Sequence, residues 1–249
     1  MGVEASYNLF PTSQEEIGQI AERIKARGIK GVNVTIPYKE TILSQLDGIS
    51  DEAKAIGAIN TISLRDNKLY GYNTDYFGFG KLLSASHIEV NNKTAVILGT
   101  GGSSKAVTAY LLDNQIKKIY LITRNKHQSI TEHQKVSLMG YEDLKEITGE
   151  LLINTTPVGM YPHIQSTPVD VNIVSNYKTL VDLIYNPKET EFLKLGSSQG
   201  KVTLDGLYML VAQAVKAQEI WQEREIPDHI IDKIYKDLEL YSERPQISI

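Results

Sequence analysis

Apolar residues recur along this chain with two periods, and the change from one to the other marks its elements. Ile17, Ile20, Ala21 and Ile24 fall at i, i+3, i+4 and i+7, which predicts an amphipathic helix. Thr12 or Ser13 is placed to cap it, with Glu16 completing a capping box. Val32, Val34 and Ile36 then alternate with Asn33 and Thr35, the period of a strand, and Pro37 ends it because proline cannot donate to a ladder. A helix is expected after Lys39, then strands around Ile59 and Leu69. Asp75, ahead of Tyr76–Leu83, could cap the next helix.

From Thr94 the style changes. Thr94–Leu98 is a short apolar run of the kind that forms a buried parallel strand, and Ala106, Val107, Tyr110 and Leu111 come after it at helical spacing. Later strands fall at Lys118–Ile122, Leu151–Ile153 and Thr179–Val181, so the stretch to about Gly206 reads as a doubly wound α/β unit. Beyond it Leu210, Val211, Ala214, Val215, Ile220 and Trp221 make one helical apolar stripe. Pro227 breaks it, and Ile230, Ile231, Ile234 and Leu238 make another. Glu243–Ile249 reads as a frayed tail. The expected fold is α/β in two domains: residues 1–80 completed by the C-terminal helices of 207–249, and residues 81–206.

Bulk properties narrow the function. At 249 residues the chain has room for two modest domains. Its net charge of −4 and pI near 5.8 advertise no basic surface for nucleic acid. It has no cysteine, which excludes disulfides, thiolate metal sites and cysteine nucleophiles. No apolar run approaches the roughly 20 residues that span a bilayer, and the start is neither basic nor followed by an apolar region like that of a signal peptide. The expectation is a cytoplasmic protein acting on a small molecule, with no nucleic-acid, membrane or metal partner.

Polar residues gather at strand ends. Asn33-Val34-Thr35-Ile36-Pro37-Tyr38-Lys39 carries an amide and a hydroxyl to a strand tip and delivers a lysine beyond it. Gly57-Ala58-Ile59-Asn60-Thr61 and Gly71-Tyr72-Asn73-Thr74-Asp75 add a second and third such end. A lysine after a strand is most often a solvated surface charge; the clustering, and a glycine-rich segment downstream, argue otherwise. Strand Thr94–Leu98 leads into Gly99-Thr100-Gly101-Gly102-Ser103-Ser104-Lys105 and a helix, the context a dinucleotide fingerprint requires. Gly99 suits the tight turn, and Gly101 lets backbone N–H groups approach a pyrophosphate at the positive helix end. Ser104 stands where the general pattern has its third glycine. The next strand ends at Thr123-Arg124-Asn125, where an NAD site usually places an acidic residue. A guanidinium there suits the 2′-phosphate of NADP.

As a set, "NVTxPxK", "GAxNT" and "GxNTDxxG" resemble the substrate-pocket motifs of the shikimate dehydrogenases. Asn154–Met160 resembles the family loop beside the nicotinamide. Asp182-Leu183-Ile184-Tyr185-Asn186-Pro187 resembles the loop whose tyrosine reaches the substrate, and Asp205–Gln213 the "GxxMLxxQ" segment. The resemblance runs from about residue 5 to about 240 and implies a Rossmann-like NADP domain beside an α/β substrate domain. It implies reversible reduction of 3-dehydroshikimate to shikimate, toward chorismate and the aromatic amino acids. The roles it implies are Lys39 and Asp75 as catalytic residues, with Asn33, Thr35, Asn60, Tyr185 and Gln213 on the substrate. Gly99, Thr100, Gly101, Gly102, Ser103, Thr123, Arg124, Asn125, Leu183 and Gly206 would bind the cofactor. A monomer or a homodimer fits equally.

One departure concerns the start. Family members begin with a strand and a serine-rich segment for the substrate carboxylate, whereas Met1–Phe10 resembles the stretch after their first helix, and Ser6 and Ser13 lie outside the motif. The expectation is an open sheet edge, intact NADP binding and weakened shikimate binding. The alternatives are an NAD-using quinate/shikimate dehydrogenase, against which Arg124 argues, and a non-catalytic nucleotide-binding paralogue.

Overall fold

Ser13 and Glu16 open the first helical segment as a reciprocal pair: in the computed structural model the Glu16 N–H donates to Ser13 Oγ at 3.3 Å and the Ser13 N–H to Glu16 Oε2 at 3.0 Å. Thr12 does not share in it, its hydroxyl donating instead to the Phe10 carbonyl. The structure describes residues 3–126 and 133–242; the tail from Glu243 lies outside them. A 3-10 turn, Ile17–Gln19, runs into helix α1, Ile20–Ala26, whose Ile20 and Ile24 are buried.

The first sheet is built from β1 (Gly31–Asn33), β2 (Gly48–Ile49), β3 (Thr61–Arg65) and β4 (Lys68–Tyr72), in the order β1-β3-β4-β2. Helix α2, Asp51–Ile56, comes after β2. β3 and β4 form a hairpin turning at Asp66 and Asn67, whose φ values of 47° and 58° are those of a primed turn. Register decides what meets at the polar end: Asn33 lies opposite Thr61, and Thr61 opposite Tyr72. Ile20, Ile24, Ile42, Ile59, Ile62 and Leu69 pack beneath the sheet. β1 has no pairing partner on its outer side among the described residues, and the exposed Tyr7 reaches Asn33 at its end.

Helix α3, Thr74–Ala85, leads to the second sheet. There β5 (Thr94–Leu98), helix α4 (Gly102–Asp113), β6 (Lys118–Thr123) and β7 (Val136–Gly140) make one half. β8 (Leu151–Asn154), α5 (Val171–Val174), β9 (Thr179–Asp182), α6 (Glu191–Ser197) and β10 (Val202–Leu204) make the other. The order is β10-β9-β8-β5-β6-β7 and every pair is parallel, the dinucleotide-binding arrangement. The order in which strands are added reverses between β5 and β8, so their carboxyl ends, Leu98 opposite Asn154, frame the crevice where such sheets bind ligands. Phe79, Val107, Leu111 and Met209 cover one face, and Val174, Tyr177, Phe192 and Leu193 the other.

Helix α7, Leu207–Gln222, returns to the first sheet, and α8, His229–Ser242, packs on it. Trp221 fastens α7 to β3: its indole N–H donates to the Ile62 carbonyl at 2.8 Å. The C-terminal helices therefore join the first sheet through α7, with α8 packed against α7.

Several expectations change. The alternating strand is shorter: β1 is Gly31–Asn33, the Val34 N–H still bonds the Asn60 carbonyl in register, and Thr35 opens the following turn, its carbonyl accepting from the Tyr38 N–H. The helix after Lys39 is a 3-10 segment, Thr41–Gln45. Asn73, not Asp75, caps α3, accepting from the Tyr76 N–H at 3.2 Å. On α7 the buried stripe is Met209, Val211, Ala212, Val215 and Ala217, and Ala214 is exposed. Leu238 on α8 is 40% exposed.

Candidate active site

The carboxyl end of β1, the start of β3 and the start of α3 converge on one buried polar cluster. Asn60 is its hub. Its Nδ2 donates to Asp75 Oδ1 at 2.8 Å and to Gln213 Oε1 at 3.3 Å. Its Oδ1 accepts from the Thr74 N–H at 2.7 Å and from the Thr61 and Thr74 hydroxyls at 3.1 Å. Asn33 donates to Thr61 Oγ1 at 3.2 Å and accepts from the Tyr7 hydroxyl at 3.0 Å. Gln213 also accepts from Thr74 Oγ1 at 3.3 Å, and its own amide donates back to the Leu210 carbonyl. Asn60, Thr61, Thr74 and Asp75 are all buried, so these bonds replace the water each group lost.

Lys39 enters this cluster from the turn beyond β1. Its ammonium donates to Asp75 Oδ2 at 2.6 Å and to Ser103 Oγ at 3.2 Å. The lysine and aspartate side chains are 12% and 8% exposed. A charge pair so withdrawn from water persists because each partner neutralises the other and Asn60 holds the second carboxylate oxygen. Two of the three ammonium donors are engaged, leaving one for a ligand oxygen.

Opposite lies the glycine turn after β5. Gly99 has φ +103°, a conformation that favours glycine, and a Cβ there would meet Thr155 Oγ1 at 2.9 Å. Gly101 occupies the N-cap of α4 with no side-chain cap, so the first-turn N–H groups face the crevice as an anion cradle. Thr100, Gly101, Gly102 and Ser103 make that turn. Thr123 bends the chain past the end of β6, its Oγ1 accepting from the Asn125 N–H at 3.1 Å, and Arg124 stands exposed at the bend. Burial pushes the Tyr141 hydroxyl up, and the nearby Arg124 charge opposes it. On the other side Gly206 packs on the Leu183 carbonyl so closely that any Cβ would collide with it. The strand-end residues expected to bind a dinucleotide thus line one edge of the parallel sheet, and the glycine cradle fits a pyrophosphate.

A buried knot stiffens the loops beyond β8 and β9. Asp182 Oδ1 accepts from Asn154 Nδ2 at 3.0 Å and the Ile184 N–H at 3.1 Å, and Oδ2 from the Thr190 hydroxyl at 2.7 Å. Burial pushes its carboxyl up to about 6 despite those bonds.

The family described as the shikimate dehydrogenase substrate binding domain matches residues 1–62. The shikimate dehydrogenase (NADP(+)) of Clostridium beijerinckii is 50% identical over 238 residues, 95% of this chain and 88% of that one. The chain belongs to the shikimate dehydrogenase family. Shikimate dehydrogenase 1 from Peptoclostridium difficile superposes with a TM-score of 0.91 at 54% identity, covering 93% of this chain and 86% of that chain. The Thermus thermophilus family member, solved in complex with NADP(H) and shikimate, superposes at 0.82 with 29% identity, covering 95% of this chain and 89% of the other.

Of the expected substrate residues, Asn33, Asn60 and Gln213 join Lys39 and Asp75 in the cluster. Thr35 is exposed and takes no part in the cluster's bonds, because the chain has already left β1; Tyr185, 50% exposed beyond β9, takes none either. Thr61, Thr74 and Tyr7 join the cluster without having been expected in it. Thr61 and Thr74 sit inside the quoted motifs and could have been found from the register that places them beside Asn60. Nothing local in the sequence marks Tyr7. Among the described residues no cluster of His, Asp and Glu could hold a metal ion. No helix among them is long and apolar enough to cross a membrane.

Proposed function

We propose that this chain is an NADP-dependent shikimate dehydrogenase, interconverting 3-dehydroshikimate and shikimate. The observation that carries the reading is the position of Lys39: one ammonium touches both the buried Asp75 carboxylate at the start of α3 and Ser103 of the glycine turn after β5. The domain division proposed is 1–80 with 207–249 for substrate and 81–206 for cofactor, with α3 spanning residue 80 as the shared element.

Thr100–Ser103 at the start of α4, with Thr123 at the end of β6 and Arg124 and Asn125 beyond it, would hold the phosphates and ribose. Leu183 and Gly206 border the crevice beyond β9 and β10. Bound there, the nicotinamide supplies or accepts the hydride. Lys39 delivers a proton to the carbonyl oxygen as it becomes an alkoxide, and takes it back in reverse, as a general acid–base in hydrogen-bond reach. Asp75 keeps the ammonium in place and turns it toward the crevice. Asn60 fixes Asp75. Asn33 and Gln213 present amides to ring hydroxyls, with Thr35 and Tyr185 at the exposed rim. The chain works in the cytoplasm, as a monomer or a homodimer.

The test is spectrophotometric. Shikimate with NADP+ should yield NADPH, and NAD+ or quinate should react far more slowly. No NADPH from shikimate, or faster turnover of quinate with NAD+, would contradict the reading.

A further inference from the structure

Ser103 belongs to the cofactor turn, yet its side-chain hydroxyl is bonded to the lysine of the other domain. This contact has a chemical direction. An ammonium has no lone pair, so Lys39 donates and Ser103 Oγ accepts, at 3.2 Å. The serine O–H must then point away from Lys39. Its own donor remains, on the first turn of α4, where the backbone N–H groups gather for an anion. Gly102 makes the contact possible: a Cβ there would meet Lys39 Cβ and Cδ at 3.1 Å, so the lysine stem lies against the helix start only because residue 102 has no side chain. A second link joins the same two segments. Lys105 on α4 pairs with Glu40, the residue after Lys39, at 2.6 Å. Both partners are more than a third exposed, so this pair orients more than it stabilises.

We infer that Ser103 is a positioning residue that couples the two ligands, relaying occupancy of the pyrophosphate cradle to the Lys39 ammonium. An anionic oxygen in the cradle accepts a hydrogen bond from the serine hydroxyl. That polarises Oγ and strengthens the bond it accepts from Lys39, as chained hydrogen bonds reinforce one another. Lys39 is then held where its remaining N–H meets the substrate oxygen. By linkage, substrate on Lys39 must tighten the cofactor by the same factor. The inference rests on the proposed function, since it needs both ligands to bind in this crevice.

Calorimetric titrations decide it. NADPH and shikimate, both reduced and so unable to react with each other, are titrated singly, then each in the presence of the other, into the parent, Ser103→Ala and Ser103→Thr. In the parent, each ligand should raise the affinity for the other at least about fivefold, the lower end of typical couplings. Ser103→Ala should weaken NADPH and, decisively, bring the coupling below about twofold, because no hydroxyl joins the two ligands. Ser103→Thr, which keeps the hydroxyl, should restore it. A merely structural serine would change single-ligand affinities and leave the coupling ratio alone. Equal coupling in the parent and Ser103→Ala overturns the inference, as does a parent that binds both ligands without coupling. A parent that binds neither overturns the proposed function itself.

Discussion

Asp182 shows how a residue that touches no reacting atom can shape the enzyme's pH behaviour. Its carboxyl sits fully buried and is raised from 3.8 to about 6, first by burial and against three hydrogen bonds. The folded value lies above the unfolded one, so the folded chain holds the extra proton in the interval between them. This group's contribution to stability is therefore most favourable below the unfolded value and falls as pH rises through the folded one. Above about 6 its ionised form costs about 2–3 kcal/mol, at 1.36 kcal/mol per pH unit. Asp182→Asn copies the protonated form, with an amide facing Thr190. Relative to the parent it should gain about 2–3 kcal/mol in urea unfolding between about pH 4 and about pH 7; a stability difference independent of pH would contradict this. Arg124 makes the second residue-scale prediction. Arg124→Ala should lose roughly 1.5–3 kcal/mol of NADP affinity, the worth of charge-assisted bonds, and leave NAD almost unchanged. Equal losses for both would show that the arginine does not meet the 2′-phosphate.

At the scale of elements, the close approach of α3 and α7 shapes the buried polar cluster around Asn60. A Cβ on Gly78 would lie 2.7 Å from the Met209 carbonyl oxygen and 3.0 Å from Gln213 Cβ. Without that side chain, α7 comes near enough for Gln213 to reach Thr74 and Asn60. Gly78→Ala should cost about 1–3 kcal/mol of stability by overpacking, and should raise the KM for shikimate more than that for NADP. Parent-like unfolding with unchanged KM values would show that the helices part freely. The buried central strands of the second sheet were legible because they are short, continuous apolar runs: β5, β8 and β9 all lie where the sequence placed them. The edge strands β7 and β10 were not, because partly exposed edges carry no such run; the Val202–Leu204 pattern is one exposed and two half-buried residues. The cap of α3 was open to misassignment because Asn73 and Asp75 are both good caps in sequence. Only the fold shows that the carboxylate is committed to Lys39 and Asn60, leaving the amide to cap.

At the scale of the molecule, the site exists only where two sheets meet. The sequence displayed both halves: a lysine after a strand and a glycine turn after another. It could not show that Lys39 crosses the crevice to Ser103, because residues 64 positions apart in sequence meet only through the docking of two domains. That docking is also carried by Tyr76, whose hydroxyl donates to Asp113 at 2.8 Å, linking α3 to the far end of α4. The most direct test of Lys39 as the group that exchanges a proton with the substrate oxygen is the rate of NADPH formation in the first turnover, with the parent and Lys39→Ala each saturated in NADP+ and shikimate. Saturation removes binding from the comparison and leaves the chemical step. The rate for Lys39→Ala should be lower by about 10²–10⁴-fold, the usual contribution of general acid–base catalysis. A rate within a factor of a few of the parent would contradict that role.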